Sequence, residues 1–229
     1  MNVLICGING RMGKSIYDIL KKDDRLNIIG FDNKKTEICE VNLDKAIDIS
    51  DVIIDFTRYD ISKEIINKSL DKGKIIISGT TGYTKSEIDA FYIKAIEHDA
   101  IIYWSPNYSK GYSIMLEEAY RLKDSFDSLD IVEMHSNKKI DKPSGTALAI
   151  ANKIGFSKDN INSVRLNNTL ATHSIILSND SEKIIITHEI TSKDAFIKGF
   201  MEVFRKIVGE NYVRRTLWTR IFKLSSVNT

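Results

Sequence analysis

The sequence predicts an α/β fold: a Rossmann-like, doubly wound parallel sheet with a second, smaller α+β domain. Up to about residue 107, short and nearly continuous apolar segments alternate with amphipathic ones. This pattern is typical of parallel strands whose connecting helices cover both faces of the sheet. After residue 107 the order changes, because a polar turn joins two apolar strands ahead of a final amphipathic helix. We therefore expect one domain over residues 1–107 plus 193–229 and a second over residues 108–192.

Five strands and three helices are expected in the first part of the chain. The apolar runs predict strands at 1–6, 26–31, 51–56, 74–78 and 100–104. The amphipathic segments between them predict helices that end near residue 22, run from 60 to 70, and run from 85 to 98. Since ligands of such sheets bind beyond the carboxyl ends of the strands, the loops after these strands are the expected place for a site.

The second part of the chain is expected to mix helices and strands. Its pattern predicts helices at 110–126, 144–154 and 192–208, and strands at 129–135, 173–178 and 183–190. The residues between 154 and 173 are interpreted as a polar segment without a strand. The last two strands are joined by Asn179, Asp180 and Ser181, which are residue types that favour a turn.

A glycine turn follows the first predicted strand. Gly7, Gly10 and Gly13 have the spacing G-x-x-G-x-x-G, and they stand between a strand and a helix as a dinucleotide-binding turn requires. Asp32 ends the second strand about twenty residues later, where an acidic side chain would bind a ribose hydroxyl. The alternative is that Asp32 only ends a strand. The combined context favours dinucleotide binding.

Composition excludes several classes of protein. The 229 residues include 33 Lys and Arg against 31 Asp and Glu, a formal net charge of +2 that offers no general nucleic-acid surface. No apolar stretch approaches the length of a membrane span, and the N-terminus lacks the layout of a signal peptide. Cys6 and Cys39 lie far apart, and the four His show no zinc-binding spacing. We therefore expect a cytoplasmic protein with no metal and no nucleic-acid or membrane partner.

The most informative segment runs from residue 130 to residue 147. It places His135 and Lys139 four residues apart, ahead of a Pro143-Ser-Gly-Thr146 turn that opens an apolar helix. Amide groups at such a helix start, with hydroxyls beside them, form a cradle for a carboxylate or phosphate. The alternatives are that the His and Lys are surface residues and that Ser144 only caps the helix. The combination of two proton-carrying side chains and an anion cradle favours catalysis.

Several motifs together resemble the 4-hydroxy-tetrahydrodipicolinate reductase family, whose members act in diaminopimelate and lysine biosynthesis. The resemblance rests on the following segments: 7–13, Asp55-Phe-Thr57, Gly79-Thr-Thr-Gly82, Asn107-Tyr-Ser and above all the block from Glu133 to Ala147. It implies NAD(P)H-dependent reduction of a conjugated cyclic imine that carries two carboxylates. A hydride added to this system leaves an enamine carbon that must take a proton, so an acid nearby is useful.

The resemblance also implies a role for each matching residue. His135 and Lys139 are the acid groups, with no division of labour between them settled, and Ser136, Ser144, Gly145 and Thr146 bind the substrate. Ser136 stands where many members carry a second His. The residues expected to bind the cofactor are Gly7, Ile8, Asn9, Gly10, Arg11, Met12, Asp32, Gly79, Thr80, Thr81, Ser105, Pro106, Asn107 and Tyr108. Residues 1–107 plus 193–229 would then be the dinucleotide-binding domain, and 108–192 the substrate-binding and oligomerisation domain.

Cofactor and assembly follow from the same resemblance. Either NADH or NADPH is expected, with NADH slightly favoured, because Asp32 would repel a 2′-phosphate while Lys34 and Lys35 would offset this in part. A homo-oligomer is expected, a tetramer by resemblance, although the segment between Ala147 and Arg165 is shorter than in most members. His173 and His188 are as readily explained by packing as by a role in the site.

Two other functions stay open. One is a different dehydrogenase of the same architecture, acting on an amino-acid or homoserine substrate. The other is an NAD-binding regulator without enzymatic activity, which Ser136 and the shortened second domain would favour. The basic tail from Tyr212 is expected to be a divergent or disordered end, with a membrane-surface or partner-binding segment as the alternative.

Overall fold

The computed structural model describes residues 1–32, 39, 40 and 42–211. Two compact units are found, one formed by residues 1–105 together with the chain from Met201 onward, the other by Pro106–Phe200. Each unit is described by itself. Lys34, Lys35 and the basic tail from Tyr212 lie outside the described residues.

The first unit is the predicted doubly wound parallel sheet. The strands stand in the order β2-β1-β3-β4-β5, and all neighbouring pairs are parallel. The structure adds α2, a helix that the sequence did not predict. The elements are β1 Asn2–Cys6, α1 Arg11–Leu20, β2 Asn27–Phe31, α2 Leu43–Asp48, β3 Val52–Asp55, α3 Tyr59–Asp71, β4 Ile75–Ser78, α4 Lys85–Glu97 and β5 Ile101–Trp104.

Burial explains why these segments form strands. β3 is buried along its whole length, and β1 is buried in four of its five residues. Helices α3 and α4 pack their apolar faces on the sheet through residues such as Ile65, Ile66 and Phe91. Each apolar side chain that is fully buried contributes about 1.5–3 kcal/mol relative to exposure to water. The strands are therefore held by both of their faces, and their carboxyl ends are presented at one edge.

The second unit is the predicted smaller α+β domain. Its sheet has the order β7-β6-β8-β9, in which β7 is parallel to β6 while β8 and β9 run antiparallel to their neighbours. The elements are α5 Lys110–Leu122, β6 Ser128–Ser136, α6 Gly145–Ile154, a 3₁₀ turn at Lys158–Asn160, β7 Ile161–Leu166, β8 Thr172–Ser178, β9 Lys183–Glu189 and α7 Asp194–Asn211, which starts in this unit.

Strand β7 corrects the interpretation of residues 154–173 as a polar segment without a strand. Its six residues alternate between half-buried and exposed positions, and Asn162, Ser163 and Arg165 interrupt the apolar pattern. Helix α5 also ends at Leu122, earlier than the predicted residue 126. Of the polar residues in β7, Arg165 has partners in other segments, which local hydrophobicity does not reveal.

The two faces of the second sheet have different surroundings. On one face, α5 and α6 pack on Ile131, Ile175 and Leu177. Strand alternation directs Val164 and Ile185 to the opposite face, where they are 37% and 52% exposed. Among the described residues, no helix combines the length and apolar character needed to cross a bilayer.

Candidate active site

The glycine turn between β1 and α1 is built by close backbone approach. Gly7 has φ +77°, and a Cβ on it would lie 2.6 Å from the carbonyl oxygen of Phe56. A Cβ on Gly13 would lie 2.2 Å from the carbonyl oxygen of Gly7. The amide of Gly10 donates to that same carbonyl over 2.9 Å. The turn therefore requires glycine, and it leaves the start of α1 open to an anionic group.

Asp32 lies against this turn. Its Oδ2 accepts a hydrogen bond from the amide of Asn9 over 3.0 Å. Ile8 is buried, whereas Arg11 is exposed and Met12 half-buried in the first turn of α1. The structure thus brings the six predicted turn residues and the predicted ribose-binding acid together at one end of the sheet.

A buried carboxyl group organises the neighbouring loops. Asp55, at the end of β3, is fully buried and accepts five hydrogen bonds. They come from the amide of Thr57 at 3.1 Å, the hydroxyl of Thr57 at 2.6 Å, the hydroxyl of Ser78 at 2.6 Å, that of Thr80 at 3.1 Å, and that of Ser62. Asp55 therefore joins the loops after β3 and β4 to the start of α3.

The loop after β4 carries three predicted cofactor residues. The ring of Phe56 covers Gly79 so closely that a Cβ there would lie 2.1 Å from a ring carbon. Thr80 is buried, and its carbonyl accepts from the indole of Trp104 over 2.7 Å, whereas Thr81 is exposed. The amide of Ser105 donates to the carbonyl of Ser78, so Ser105 lies beside the same loop. The side chain of Thr80 supports the loop, and Thr81 presents its side chain to solvent.

The remaining three predicted cofactor residues belong to the second unit. Pro106 is half-buried, and Asn107 accepts through Oδ1 from the amide of Ser109 at 2.9 Å and from its hydroxyl at 2.7 Å. Tyr108 is buried, and a Cβ on Gly199 would lie 1.7 Å from its carbonyl oxygen. This segment is rigidly packed and leads directly into α5.

His135 is oriented by a buried carboxylate. Glu133, two residues earlier on β6, is fully buried, and its Oε2 is hydrogen-bonded to Nδ1 of His135. Burial acts to raise the pKa of Glu133, but its interactions with His135, Arg165 and Ser163 lower that pKa to about 2. Glu133 is therefore ionised at neutral pH. Nδ1 of His135 carries a hydrogen and donates it to this carboxylate. Nε2 is the nitrogen left for proton exchange.

Lys139 lies in the turn after β6. Its amide donates to the carbonyl of Ser136 over 2.9 Å, and its Nζ lies 2.9 Å from Oδ2 of Asp141. Burial acts to raise the pKa of Asp141, but its hydrogen bond with Lys139 lowers that pKa below the ordinary value. Lys139 is 30% exposed, so its ammonium group reaches the surface of the site while one carboxylate holds it.

Ser144 caps α6 and also bonds to the sheet. Its Oγ accepts from the amide of Ala147 over 3.2 Å and lies 3.3 Å from Nε2 of His173. Gly145 and Thr146 form the first turn of the helix. Burial, together with the charge of His135, lowers the pKa of His173 to about 3, so His173 is neutral. The ring centroids of His135 and His173 lie 5.2 Å apart. The structure therefore connects His135 with the capped start of α6 through His173.

A row of polar residues runs across the second sheet beneath this cap. Strand register pairs Ser163 with Glu133, Glu133 with His173, and His173 with His188. His188 lies 3.4 Å from the hydroxyl of Ser109, the residue that precedes α5. Through His173 and His188 the row thus contacts Ser144 and Ser109, the residues that precede α6 and α5. Both His side chains are packed within the row.

Sequence analysis did not assign three of these residues. Asp55 was part of a motif without a role, and Arg165 was named only as the end of the shortened segment that follows Ala147. Ser109 was not proposed to contact His188. An Asp at the end of a wholly apolar strand is itself a signal, because a buried carboxyl group requires donors. No comparable local signal identifies Arg165, because its partners come from other segments of the chain.

A doubly wound sheet with a glycine turn, joined to a unit that carries an acid pair beside an anion cradle, defines a nucleotide-dependent oxidoreductase. The chain belongs to the dihydrodipicolinate reductase family. The family's N-terminal model matches residues 1–108, and its C-terminal model matches residues 112–219. Among the described residues, no cluster of His, Cys, Asp or Glu is placed to hold a metal ion.

Individual relatives agree with the family assignment. The 4-hydroxy-tetrahydrodipicolinate reductase of Buchnera aphidicola subsp. Baizongia pistaciae is 30% identical over 256 residues, covering 93% of this chain and 93% of that protein. The enzyme of the same name from Dictyoglomus turgidum is 28% identical over 250 residues, with 91% and 93% covered. The fold matches that of a dipicolinate-bound dihydrodipicolinate reductase from Paenisporosarcina sp. TG-14, with TM-score 0.71, 22% identity, and 88% and 92% covered.

Proposed function

We propose that this protein reduces the cyclic imine 4-hydroxy-tetrahydrodipicolinate to tetrahydrodipicolinate with NADH or NADPH, in the biosynthesis of diaminopimelate and lysine. The observation that carries the proposal is the connection of His135, through His173, with the capped start of α6, in a chain that both family models match. Lys139 lies in the segment between β6 and that helix. The family names the reaction, and the geometry supports the chemistry proposed for each residue.

The first unit is suited to a dinucleotide. The turn at residues 7–12 fits a pyrophosphate because each close backbone approach excludes a side chain. Asp32, held on the amide of Asn9, would accept from ribose hydroxyls and would repel a 2′-phosphate, which supports a preference for NADH. Gly79, Thr80, Thr81 and Ser105 of this unit would hold the nicotinamide end, and the bound cofactor supplies a hydride.

The second unit is suited to a dicarboxylate. The amides of Gly145 and Thr146 at the start of α6 would bind one carboxylate, with Ser144 fixing the turn. Lys139 adds positive charge beside this position. Its ammonium group, which pairs with Asp141, would release Asp141 and pair with the substrate. The hydroxyl of Ser136 would contribute a hydrogen bond. These residues account for substrate binding without a metal ion.

His135 and Lys139 would supply the proton that the reduced product requires. Nδ1 of His135 is held by Glu133, so Nε2 is the atom that would deliver a proton. Lys139 is held by Asp141 and carries three donor hydrogens. The structure gives each group a defined partner, and a comparison of variants decides which of them delivers the proton.

Domain roles and assembly follow from the same division. We propose that residues 1–107 plus 193–229 bind the dinucleotide and that residues 108–192 bind the substrate and form the oligomer. The face of the second sheet opposite α5 and α6 carries exposed apolar residues, including Val164 and Ile185, and a second copy of this chain would cover them. A homotetramer in the cytoplasm is the proposed state.

The test is oxidation of NADH and NADPH with substrate generated in place by the preceding synthase. Wild type should turn over, and His135→Ala and Lys139→Ala should lower kcat by about two to four orders of magnitude while cofactor binding is kept. Lys138→Ala is the matched control, because Lys138 is exposed and adjacent. Cofactor binding without any turnover by wild type would indicate a regulator. Turnover of an amino acid or homoserine that Lys139→Ala leaves unchanged would indicate another dehydrogenase.

A further inference from the structure

The guanidinium group of Arg165 contacts both the carboxylate that orients His135 and the turn that carries Lys139. Arg165 lies on β7, and its side chain is only 8% exposed. Strand register places it directly beside His135, on the face of the sheet that also carries Glu133. A buried Arg is costly unless its donors are all used, so the identity of its partners shows what it holds in place.

The first contact acts on His135. Nη2 of Arg165 lies 2.9 Å from Oε1 of Glu133, while Oε2 of Glu133 is bonded to Nδ1 of His135. The carboxylate is thus shared between a permanent cation and the imidazole. Since Arg165 fixes one oxygen, the other oxygen points at Nδ1 and determines the tautomer of the ring.

The second contact acts on the turn that carries Lys139. Nε of Arg165 donates to the carbonyl of Lys139 over 3.3 Å, and Nη2 donates to the carbonyl of Asp141. Asp141 in turn holds Nζ of Lys139. Three donors in a rigid planar arrangement reach these carbonyls and Val164, and a lysine ammonium cannot reproduce that geometry.

We propose that Arg165 is a positioning residue that sets the two acid groups together: it orients His135 through Glu133, and it places Lys139 through the carbonyls of residues 139 and 141. The inference rests on the proposed function and deepens it. A residue that lies outside the family block at Glu133–Ala147 would thereby determine the geometry of that block.

This role predicts a defined pattern among four variants. Arg165→Gln removes both contacts, Arg165→Lys keeps a charge beside Glu133 but loses the carbonyl contacts, and Glu133→Gln removes only the control of His135. Arg121→Gln is the matched control, because Arg121 is exposed in the same unit and pairs only with residues of its own helix. We expect Arg165→Gln to lower kcat about 100-fold, because small misplacement of catalytic groups costs that much.

The measurements separate positioning from a merely structural role. Steady-state kinetics give kcat and KM, and ¹⁵N NMR of the imidazole of His135 gives its tautomer without any turnover. Arg165→Lys should retain the wild-type tautomer and still lose kcat, whereas Glu133→Gln and Arg165→Gln should shift the tautomer. Unchanged kcat in Arg165→Lys, or an unchanged tautomer in both other variants, overturns the proposal.

The same design separates this inference from the function itself. If wild type does not turn over, the proposed function fails, and the His135 tautomer still decides whether Arg165 acts through Glu133. If Arg165→Gln does not fold, Arg165→Lys and Glu133→Gln decide in its place. A loss of stability with kcat and tautomer both retained would show that Arg165 only holds the sheet together, and this also overturns the proposal.

Discussion

Each compact unit buries one carboxyl group next to its proposed site, and the two carboxyl groups have different kinds of bonding partners. Asp55 in the first unit is surrounded by neutral donors, four hydroxyls and one amide. Glu133 in the second unit lies between the cation of Arg165 and the imidazole of His135. Neutral hydroxyls fix the shape of loops, whereas charged partners also determine where protons reside.

This difference agrees with the division of labour proposed for the two units. A cofactor site must hold loops at fixed positions, and Asp55 joins the loop after β4, which carries Thr80, to the loop after β3 and to α3. An acid site must hold protons on particular atoms, and Glu133 does so for Nδ1 of His135.

Asp55→Ala should be the most damaging of these substitutions to stability. It leaves five donors without their acceptor, three of them on the buried residues Ser62, Ser78 and Thr80. With a net value of about 0.5–1.5 kcal/mol for each hydrogen bond we expect a loss of roughly 4 kcal/mol. Urea or thermal unfolding measures this loss. Asp89→Ala is the control, since Asp89 is exposed and pairs only with Lys85 across one helical turn, and it should cost about 0.5 kcal/mol. Equal effects of the two substitutions would contradict the account of Asp55.

The charged environment of Glu133 should appear as a dependence of stability on pH. Its pKa of about 2 in the folded protein lies below the ordinary 4.5, so its contribution is complete above pH 4.5 and is lost as pH falls from 4.5 to 2. The difference in unfolding free energy between wild type and Glu133→Gln should shrink by on the order of 3 kcal/mol over this window. A difference that is constant between pH 7 and pH 2 would show that Glu133 is not held ionised.

The smallest effects are expected for substitutions of a helix-capping residue, one in each unit. Ser144→Ala and Thr84→Ala each remove a side chain that accepts a helix amide, and each should cost about 1 kcal/mol of stability. Only Ser144→Ala should also raise KM for the imine, by about tenfold, because the amides that bind the carboxylate lose their support. A similar rise in KM for Thr84→Ala would remove the distinction between the two caps.

The sequence predicts the first unit better than the second for a physical reason. Its five strands are apolar almost throughout, because both faces are covered, and local hydrophobicity is sufficient to find them. Helix α2 was missed since only six residues form it and three of them are apolar. Strand β7 was missed because the polar residues Asn162, Ser163 and Arg165 interrupt its apolar pattern.

The same distinction applies to the site. His135, Lys139 and Ser144 lie within ten residues of one another, so a short block of sequence predicts that they act together. Arg165 reaches Glu133 only through the parallel pairing of β6 with β7, which depends on register and not on local composition. The proposed acid groups were therefore predictable from the sequence, and the residue proposed to position them was not.

The most direct test of the account measures cofactor affinity and kcat side by side for Asp55→Asn and Glu133→Gln. The two substitutions are matched, because each replaces one buried carboxyl group with an amide of similar size. We predict that Asp55→Asn weakens NADH binding about tenfold or more, as expected when a loop contact is displaced. Glu133→Gln should leave NADH binding unchanged and lower kcat. If both variants lose cofactor affinity and kcat to the same extent, the division between a unit that holds the cofactor and a unit that controls protons is wrong.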